Sequence, residues 1–154
     1  MRADDTLAYL AGAWSLERRL VDHRAGLAGS FVGEAEVVTA ERAGRYEERG
    51  RLRFDGYDGP AHRALDLTAA GAAVTVSFTD GRPFFLLDLA PGGCSAVHVC
   101  RADRYELEFE LGGRNLLLER WRVTGPAKHY EARTTWERQR LNRPERGRRA
   151  GKPR

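Results

Sequence analysis

Regular alternation between apolar and charged side chains most constrains what this chain of 154 residues can fold into. The segment 105–111 reads YELEFEL, in which every second residue is apolar and each residue between is a glutamate. Successive side chains of a β-strand point to opposite faces of its sheet. The segment therefore predicts a strand with one buried and one solvent-facing side.

The same period of two recurs through most of the chain, at 14–20, 31–37, 46–54, 74–78, 85–89, 121–123 and 130–136. Turn signals such as Thr79-Asp80-Gly81 and Gly125-Pro126 separate these segments. Many short strands joined by turns predict an antiparallel sandwich or an up-and-down barrel. We favour the barrel because closure removes the exposed sheet edges. The prediction is an all-β barrel of roughly eight to ten strands, with room for one small ligand.

Charge divides the chain into two parts. Residues 140–154 hold seven of the 26 basic residues and one of the 22 acidic residues, so the remainder is slightly acidic. We predict one barrel domain over residues 1–139, with a short helix capped by Asp4, Asp5 or Thr6, and a disordered basic tail over residues 140–154. Contact with nucleic acid is expected only weakly and only through this tail.

Cellular context is predicted from what the composition lacks. Cys94 and Cys100 do not make a disulfide framework, and no apolar run is long enough to span a bilayer. The first residues carry acids and no apolar stretch like that of a signal peptide. We expect a cytoplasmic protein with no membrane partner and no cofactor.

The segment Leu10-Ala11-Gly12-Ala13-Trp14 resembles the opening of a lipocalin or related calycin, where a short helix leads to Gly-x-Trp at the start of the first strand. In that superfamily a basic residue of the last strand packs over the tryptophan. Arg133 or Arg138 would take that place here. The resemblance implies a barrel of the lipocalin type.

A broader resemblance, over residues 10–138, is to an uncharacterised bacterial family of small calycin-like proteins of unknown function. It implies a fold and no particular activity. Two places depart from that family: Phe85 stands where histidine is frequent, and Leu65 and Leu67 where an aromatic pair is expected. The resembling segments are Trp14-x-Leu16-x-Arg18, Tyr46-x-Glu48-x-Gly50, Asp80-Gly81-Arg82, His98-x-Cys100-x-x-Asp103-x-Tyr105 and Trp121-x-Val123-x-Gly125-Pro126-x-Lys128-x-Tyr130.

Three ionisable residues, Arg18, Glu48 and Arg63, fall on the apolar faces of predicted strands. A buried charge is costly unless it is paired or meets a ligand. A structural ion pair between Arg18 and Glu48 satisfies this requirement. A polar floor that orients the carboxylate, phosphate or carbonyl of a ligand satisfies it equally.

His98 and Cys100 lie two residues apart on one predicted strand face. Two ligands do not make a zinc site, so no metal is predicted. Side chains at this spacing also stand too far apart for a nucleophile and its base. We predict no catalytic residue, with Cys100 a small buried hydrophobe and His98 an interior or rim residue.

The leading hypothesis is that the barrel binds one small, partly apolar molecule with an acidic or carbonyl head group. One alternative is an enzyme in the same barrel with Glu48 or His98 as general base and Arg18 as electrostatic stabiliser. Another is a module with a filled barrel that contacts partners or nucleic acid through its basic tail. The predicted ligand-binding residues are Arg18, Glu48, Arg63, His98, Tyr105 and Trp121.

Overall fold

The structure, a computed structural model, describes residues 5–140 as one short helix followed by ten strands. Each strand pairs antiparallel with the next along the chain, except the sixth with the seventh, and the first strand also pairs with the last, so the sheet curls into a nearly closed barrel. The all-β, up-and-down barrel predicted from the alternation is therefore confirmed. The elements are α1 (Thr6–Leu10), β1 (Gly12–Asp22), β2 (Leu27–Ala40), β3 (Ala43–Phe54), β4 (Tyr57–Ala70), β5 (Ala73–Ser77), β6 (Pro83–Leu87), β7 (Gly93–Cys100), β8 (Asp103–Leu111), β9 (Leu116–Thr124) and β10 (His129–Arg138).

Closure of the barrel is incomplete at one place in the wall. In the described chain β6 and β7 are the two edges of the sheet and share no ladder of backbone hydrogen bonds. β5 pairs only with residues 66–70 of β4, so the first half of β4 has a neighbouring strand on one side only. The wall is therefore open between β4 and β7 at the end opposite α1.

The other end of the barrel is closed by α1. Asp5 caps this helix by accepting a hydrogen bond from the Ala8 amide at 3.2 Å, as predicted. Trp14 is fully buried beneath it, and its indole N–H donates to the Leu10 carbonyl at 2.9 Å. The Thr6 hydroxyl, also fully buried, accepts from the Leu89 amide at 3.0 Å. These contacts fix the helix as a plug.

Arg138 is the basic residue that packs over the tryptophan. Its guanidinium carbon lies 4.1 Å from the centroid of the Trp14 ring, and its nitrogens donate to the carbonyls of Ala11 at 2.9 Å and Tyr9 at 2.6 Å. Arg133, the other candidate, is exposed and pairs with Glu131 on the outer surface. The last strand thus ties the helix to the barrel base.

Two facing glycines shape the wall beside the interior charges. Gly33 on β2 pairs with Gly50 on β3, and a Cβ on either would overlap a carbonyl oxygen of the partner strand. The strands therefore approach more closely than side chains would permit. The space over Gly50 is taken by the ring of Phe31, and the guanidinium of Arg18 lies 5.0 Å from that ring.

Burial differs from the prediction at two positions. Cys100 is exposed rather than buried, because it is the last residue of β7 and stands at the open rim. Phe84 is buried although alternation assigned only Phe85 to the interior. A register shift between Val76 and Ser77 of β5 lets both phenylalanines contact the core.

The predicted tail lies outside the described residues except for Arg140, and the domain boundary at residue 139 stays a prediction. Within residues 5–140 no helix has the length and apolar character needed to cross a membrane.

Candidate functional site

An ion cluster occupies the middle of the barrel. Arg18 on β1 and Glu48 on β3 reach across the intervening β2 and form two hydrogen bonds, Nη1 to Oε1 at 2.8 Å and Nη2 to Oε2 at 2.9 Å. Arg18 Nε donates to the Thr134 hydroxyl at 2.8 Å, and the Tyr46 hydroxyl donates to Glu48 Oε2. Both charged side chains lie inside, where alternation places them, and each is well satisfied.

Arg63 on β4 is the third member of the cluster, and it is poorly satisfied. Its Nη2 is 3.4 Å from Glu48 Oε2, and its Nε is 3.2 Å from Glu48 Oε1 without the Nε–H pointing at that oxygen. The buried Nε atom therefore has no hydrogen-bond partner among the described residues. Leaving a buried donor unpaired costs roughly 1–3 kcal/mol, so this atom marks a place for an acceptor.

A second unpaired donor lies beside the first. The indole Nε1 of Trp121 is buried and has no hydrogen-bond partner in the described chain. The guanidinium carbon of Arg63 lies 4.7 Å from the centroid of the Trp121 ring. The guanidinium of Arg63 thus lies against the same indole whose N–H is unpaired, and the two unpaired donors belong to side chains in direct contact.

Electrostatics keep Glu48 ionised. Burial by itself would raise the pKa of Glu48, but the hydrogen bonds from Arg18 and the positive charges of Arg63 and Arg18 lower it to about 2. Burial likewise opposes the charge of Arg18, yet hydrogen bonding to Glu48 raises the pKa of Arg18 above its ordinary value. A carboxylate held so firmly in its ionised form is a weak base.

Glu119 on β9 is an interior acid that the sequence analysis missed. It is 6% exposed, and the indole N–H of Trp136 donates to its Oε2 at 3.0 Å. Burial raises the pKa of Glu119, and the charges of Arg18 and Arg63 oppose that rise only in part. A signal was present, because the period of two extends from Trp121 back through Glu119 to Leu117.

A pocket of about 590 Å³ opens where β4 lacks its second neighbour, and we call it the mouth pocket. Arg63 lies on its inner side, and Arg82 and the exposed Cys100 also line it. Four predicted ligand-binding residues, Arg63, His98, Tyr105 and Trp121, therefore come together here, whereas Arg18 and Glu48 lie outside its lining. Its aromatic side chains are Phe78, Phe84, His98, Tyr105, Trp121 and Tyr130.

Phe84 organises these aromatic rings. It stacks on Phe78 with centroids 4.6 Å apart, and it meets the rings of His98 at 5.1 Å and Trp121 at 5.3 Å edge to face. Such offset and perpendicular arrangements are the ones that aromatic rings prefer. The mouth pocket thus has walls built mainly from ring faces and edges.

A second, much smaller cavity adjoins the mouth pocket on the inner side. This inner chamber has a volume of about 40 Å³, close to the space of a single water molecule. Arg63, Leu65 and Trp121 line both spaces, and Glu119 lines the inner chamber. The barrel interior is therefore mostly filled by side chains below the mouth pocket.

Comparison with known proteins identifies the family. Residues 10–138 match DUF6314, a family of unknown function. The chain belongs to this family. This confirms the resemblance to a family of unknown function, and no curated protein matches the chain.

Solved structures with similar folds are distant in sequence. An S-type phycobiliprotein lyase from Guillardia theta has 9% identity and a TM-score of 0.63, covering 91% of this chain and 94% of that one. A DUF3598-family protein of unknown function from Nostoc punctiforme has 13% identity and a TM-score of 0.61, covering 87% of this chain and 49% of that one. EF1p2_mFAP2b bound to DFHBI has 8% identity and a TM-score of 0.51, covering 90% and 100%. At such identities the likeness establishes the barrel fold and no activity.

Metal ligation has no support in this DUF6314 barrel within the described residues. Between residues 5 and 140 no three His, Cys, Asp or Glu side chains come together as a metal site. His98 instead packs its ring against Phe84, Phe78 and Tyr105 at the mouth pocket.

Proposed function

We propose that this protein binds one small, partly apolar molecule in the mouth pocket, with an acidic or carbonyl head group directed at Arg63 and Trp121. The observation that carries the proposal is the pair of buried, unpaired donors, Arg63 Nε and Trp121 Nε1, on the inner side of an aromatic pocket. Ligand sites typically combine mostly apolar walls with a few convergent polar groups.

The size of the pocket supports the proposal. A volume of about 590 Å³ falls within the usual range for small-molecule sites, roughly 300–1,000 Å³. A barrel of similar fold is known in a complex, since EF1p2_mFAP2b is bound to DFHBI. In the present chain His98 and Tyr105 would contact the body of the ligand. Arg18 and Glu48 would act indirectly, by holding Arg63 in place.

Binding without catalysis fits the geometry better than the enzyme hypothesis does. Glu48 is a weak base and does not line the mouth pocket. The His98 side chain forms no hydrogen bond with the described residues, so no third group orients it for proton transfer. The alternative that depends on the basic tail concerns residues outside the described part of the chain.

The proposal is tested by an NMR titration of the isotopically labelled chain with anilinonaphthalene sulfonate, an apolar anionic probe. Amide shift changes should cluster at residues 63–65, 78–84, 98–105 and 121, because these surround the mouth pocket. A second groove of about 600 Å³ on the outer face of β7–β10 provides an internal comparison. Shift changes confined to that outer groove, or an absence of shifts, would refute binding in the mouth pocket.

A further inference from the structure

The two adjoining spaces restrict the shape of a ligand. The mouth pocket is large and ring-lined, whereas the inner chamber has room for about one water molecule. A molecule in the mouth pocket therefore has a bulky body, and only about one heavy atom of its head can extend into the inner chamber. Six aromatic side chains around the body space favour a flat, conjugated body, because rings pack best against other rings.

Charge distinguishes the two arginines that line the mouth pocket. Arg82 is neutralised by Asp80, whose Oδ2 lies 2.7 Å from Arg82 Nε. Arg63 has only Glu48, which is already bound by both terminal nitrogens of Arg18 and by Tyr46. Arg63 is thus a second cation on one carboxylate, and it has an unused N–H. The Nε–H of Arg63 is therefore left without an acceptor among the described residues on the inner side of the pocket.

Glu119 does not accept a hydrogen bond from Arg63 Nε. It lies on the wall of the inner chamber, and its buried carboxyl accepts from Trp136. Burial raises the pKa of Glu119, which favours the neutral acid over the carboxylate. The unpaired N–H of Arg63 therefore remains open to an acceptor from a ligand.

We infer that the ligand is a flat aromatic carboxylate, with its rings in the mouth pocket and its carboxylate at the inner end of that pocket, beside Arg63 and Trp121, which line both spaces. One carboxylate oxygen accepts from Arg63 Nε and the other from Trp121 Nε1. A carboxylate has two acceptor oxygens, one for each unpaired N–H, and its hydrogen bond to Arg63 is charge-assisted. This inference rests on the proposed function and narrows it to one class of molecule.

The test compares three probes of nearly equal size by calorimetric titration at neutral pH. They are a naphthoate, the corresponding neutral naphthamide and the corresponding saturated decalin carboxylate. The naphthoate should bind about tenfold more tightly than the naphthamide, because a charge-assisted hydrogen bond is worth about 1.4 kcal/mol more than a neutral one. It should bind roughly fivefold more tightly than the decalin carboxylate, which cannot stack.

Two variants locate the selectivity. Arg63→Met should reduce the ratio of naphthamide to naphthoate dissociation constants to about one. Arg120→Met is the matched control, because the Arg120 side chain has the same 32% exposure but pairs with Glu131 on the outer surface. It should leave the ratio unchanged. If Arg63→Met does not fold, Trp121→Phe replaces it: the ring is kept, the donor is lost, and naphthoate affinity should fall roughly fivefold.

The outcomes separate the two proposals. Equal affinities for all three probes, with NMR shifts at the mouth pocket, would overturn the aromatic carboxylate and leave small-molecule binding intact. Failure of every probe to bind at the mouth pocket would overturn both. An Arg63→Met variant that folds and keeps the naphthoate preference would refute the assigned role of Arg63.

Discussion

Replacing Arg18 by methionine tests whether the interior ion cluster holds the barrel together. The change removes both hydrogen bonds to Glu48 and leaves that carboxylate 3% exposed, with Tyr46 and the more distant Arg63 as its remaining partners. Breaking a buried pair in this way usually costs about 3–5 kcal/mol. Because Arg63 still offsets part of the charge, we expect the lower end, a loss of about 3 kcal/mol at neutral pH.

The lowered pKa of Glu48, which reflects Arg18, Arg63 and Tyr46 together, leads to a figure of similar size. Folding lowers this pKa from 4.5 to about 2, and each unit corresponds to about 1.4 kcal/mol, which gives about 3 kcal/mol. Since the folded pKa is lowered, this stabilisation is present above pH 4.5 and is lost as the pH falls through about 2. The stability gap between wild type and Arg18→Met should therefore narrow to about 1 kcal/mol near pH 3.

Urea unfolding followed by tryptophan fluorescence measures the stability difference between wild type and Arg18→Met at neutral pH and near pH 3. Arg51→Met is the matched control. Arg51 Nε lies 2.5 Å from Asp58 Oδ1, so Arg51 also pairs with a carboxylate, but the Arg51 side chain is 61% exposed. Solvent screens such a surface pair, so Arg51→Met should change the free energy of unfolding far less than Arg18→Met does. A loss below about 1 kcal/mol for Arg18→Met at neutral pH would refute the reasoning. So would a gap that stays constant down to about pH 3.

Three further predictions use other buried or exposed groups. Burial raises the folded pKa of Glu119, so the contribution of this group to stability is present below pH 4.5 and is lost as the pH rises through the folded pKa. The melting temperature of Glu119→Gln should therefore rise relative to that of wild type as the pH increases. A difference in melting temperature that does not depend on pH would contradict this. Arg138→Lys should lower the free energy of unfolding by about 1–2 kcal/mol, because lysine cannot stack on Trp14 and donate to two carbonyls at once. An unfolding midpoint in urea equal to that of wild type would refute this. A thiol reagent should label exposed Cys100 before half-buried Cys94, and preferential labelling of Cys94 would contradict the position of Cys100 at the rim. Cys100→Ala should change the free energy of unfolding by less than about 0.5 kcal/mol.

The sequence was sufficient to assign faces, because the period of two is a backbone property. It correctly placed Arg18, Glu48 and Arg63 on the inner side of their strands, and Trp14 at the base. It also predicted a basic residue over Trp14, although only the structure distinguishes Arg138 from Arg133.

The sequence did not show how far each side chain lies from the end of its strand. Alternation places Cys100 on the same face as His98, but it does not show that β7 ends at Cys100, where the side chain meets solvent. It did not reveal Phe84 either, because the register shift in β5 is a local event without a periodic signature. Which residues reach the mouth pocket depends on the short β5 and β6, whose lengths are set by tertiary pairing.

The missing ladder between β6 and β7 has a mechanical consequence. In a fully hydrogen-bonded barrel the girth is fixed by strand number and stagger, so widening it means breaking backbone hydrogen bonds. Here β6 and β7 are adjacent but not joined by a backbone ladder. Side-chain contacts connect them instead, such as that of Cys94 Sγ with the Leu86 carbonyl at 3.8 Å. The girth of this barrel can change while every ladder stays intact, so the barrel can adjust to the thickness of what it encloses without unfolding any strand.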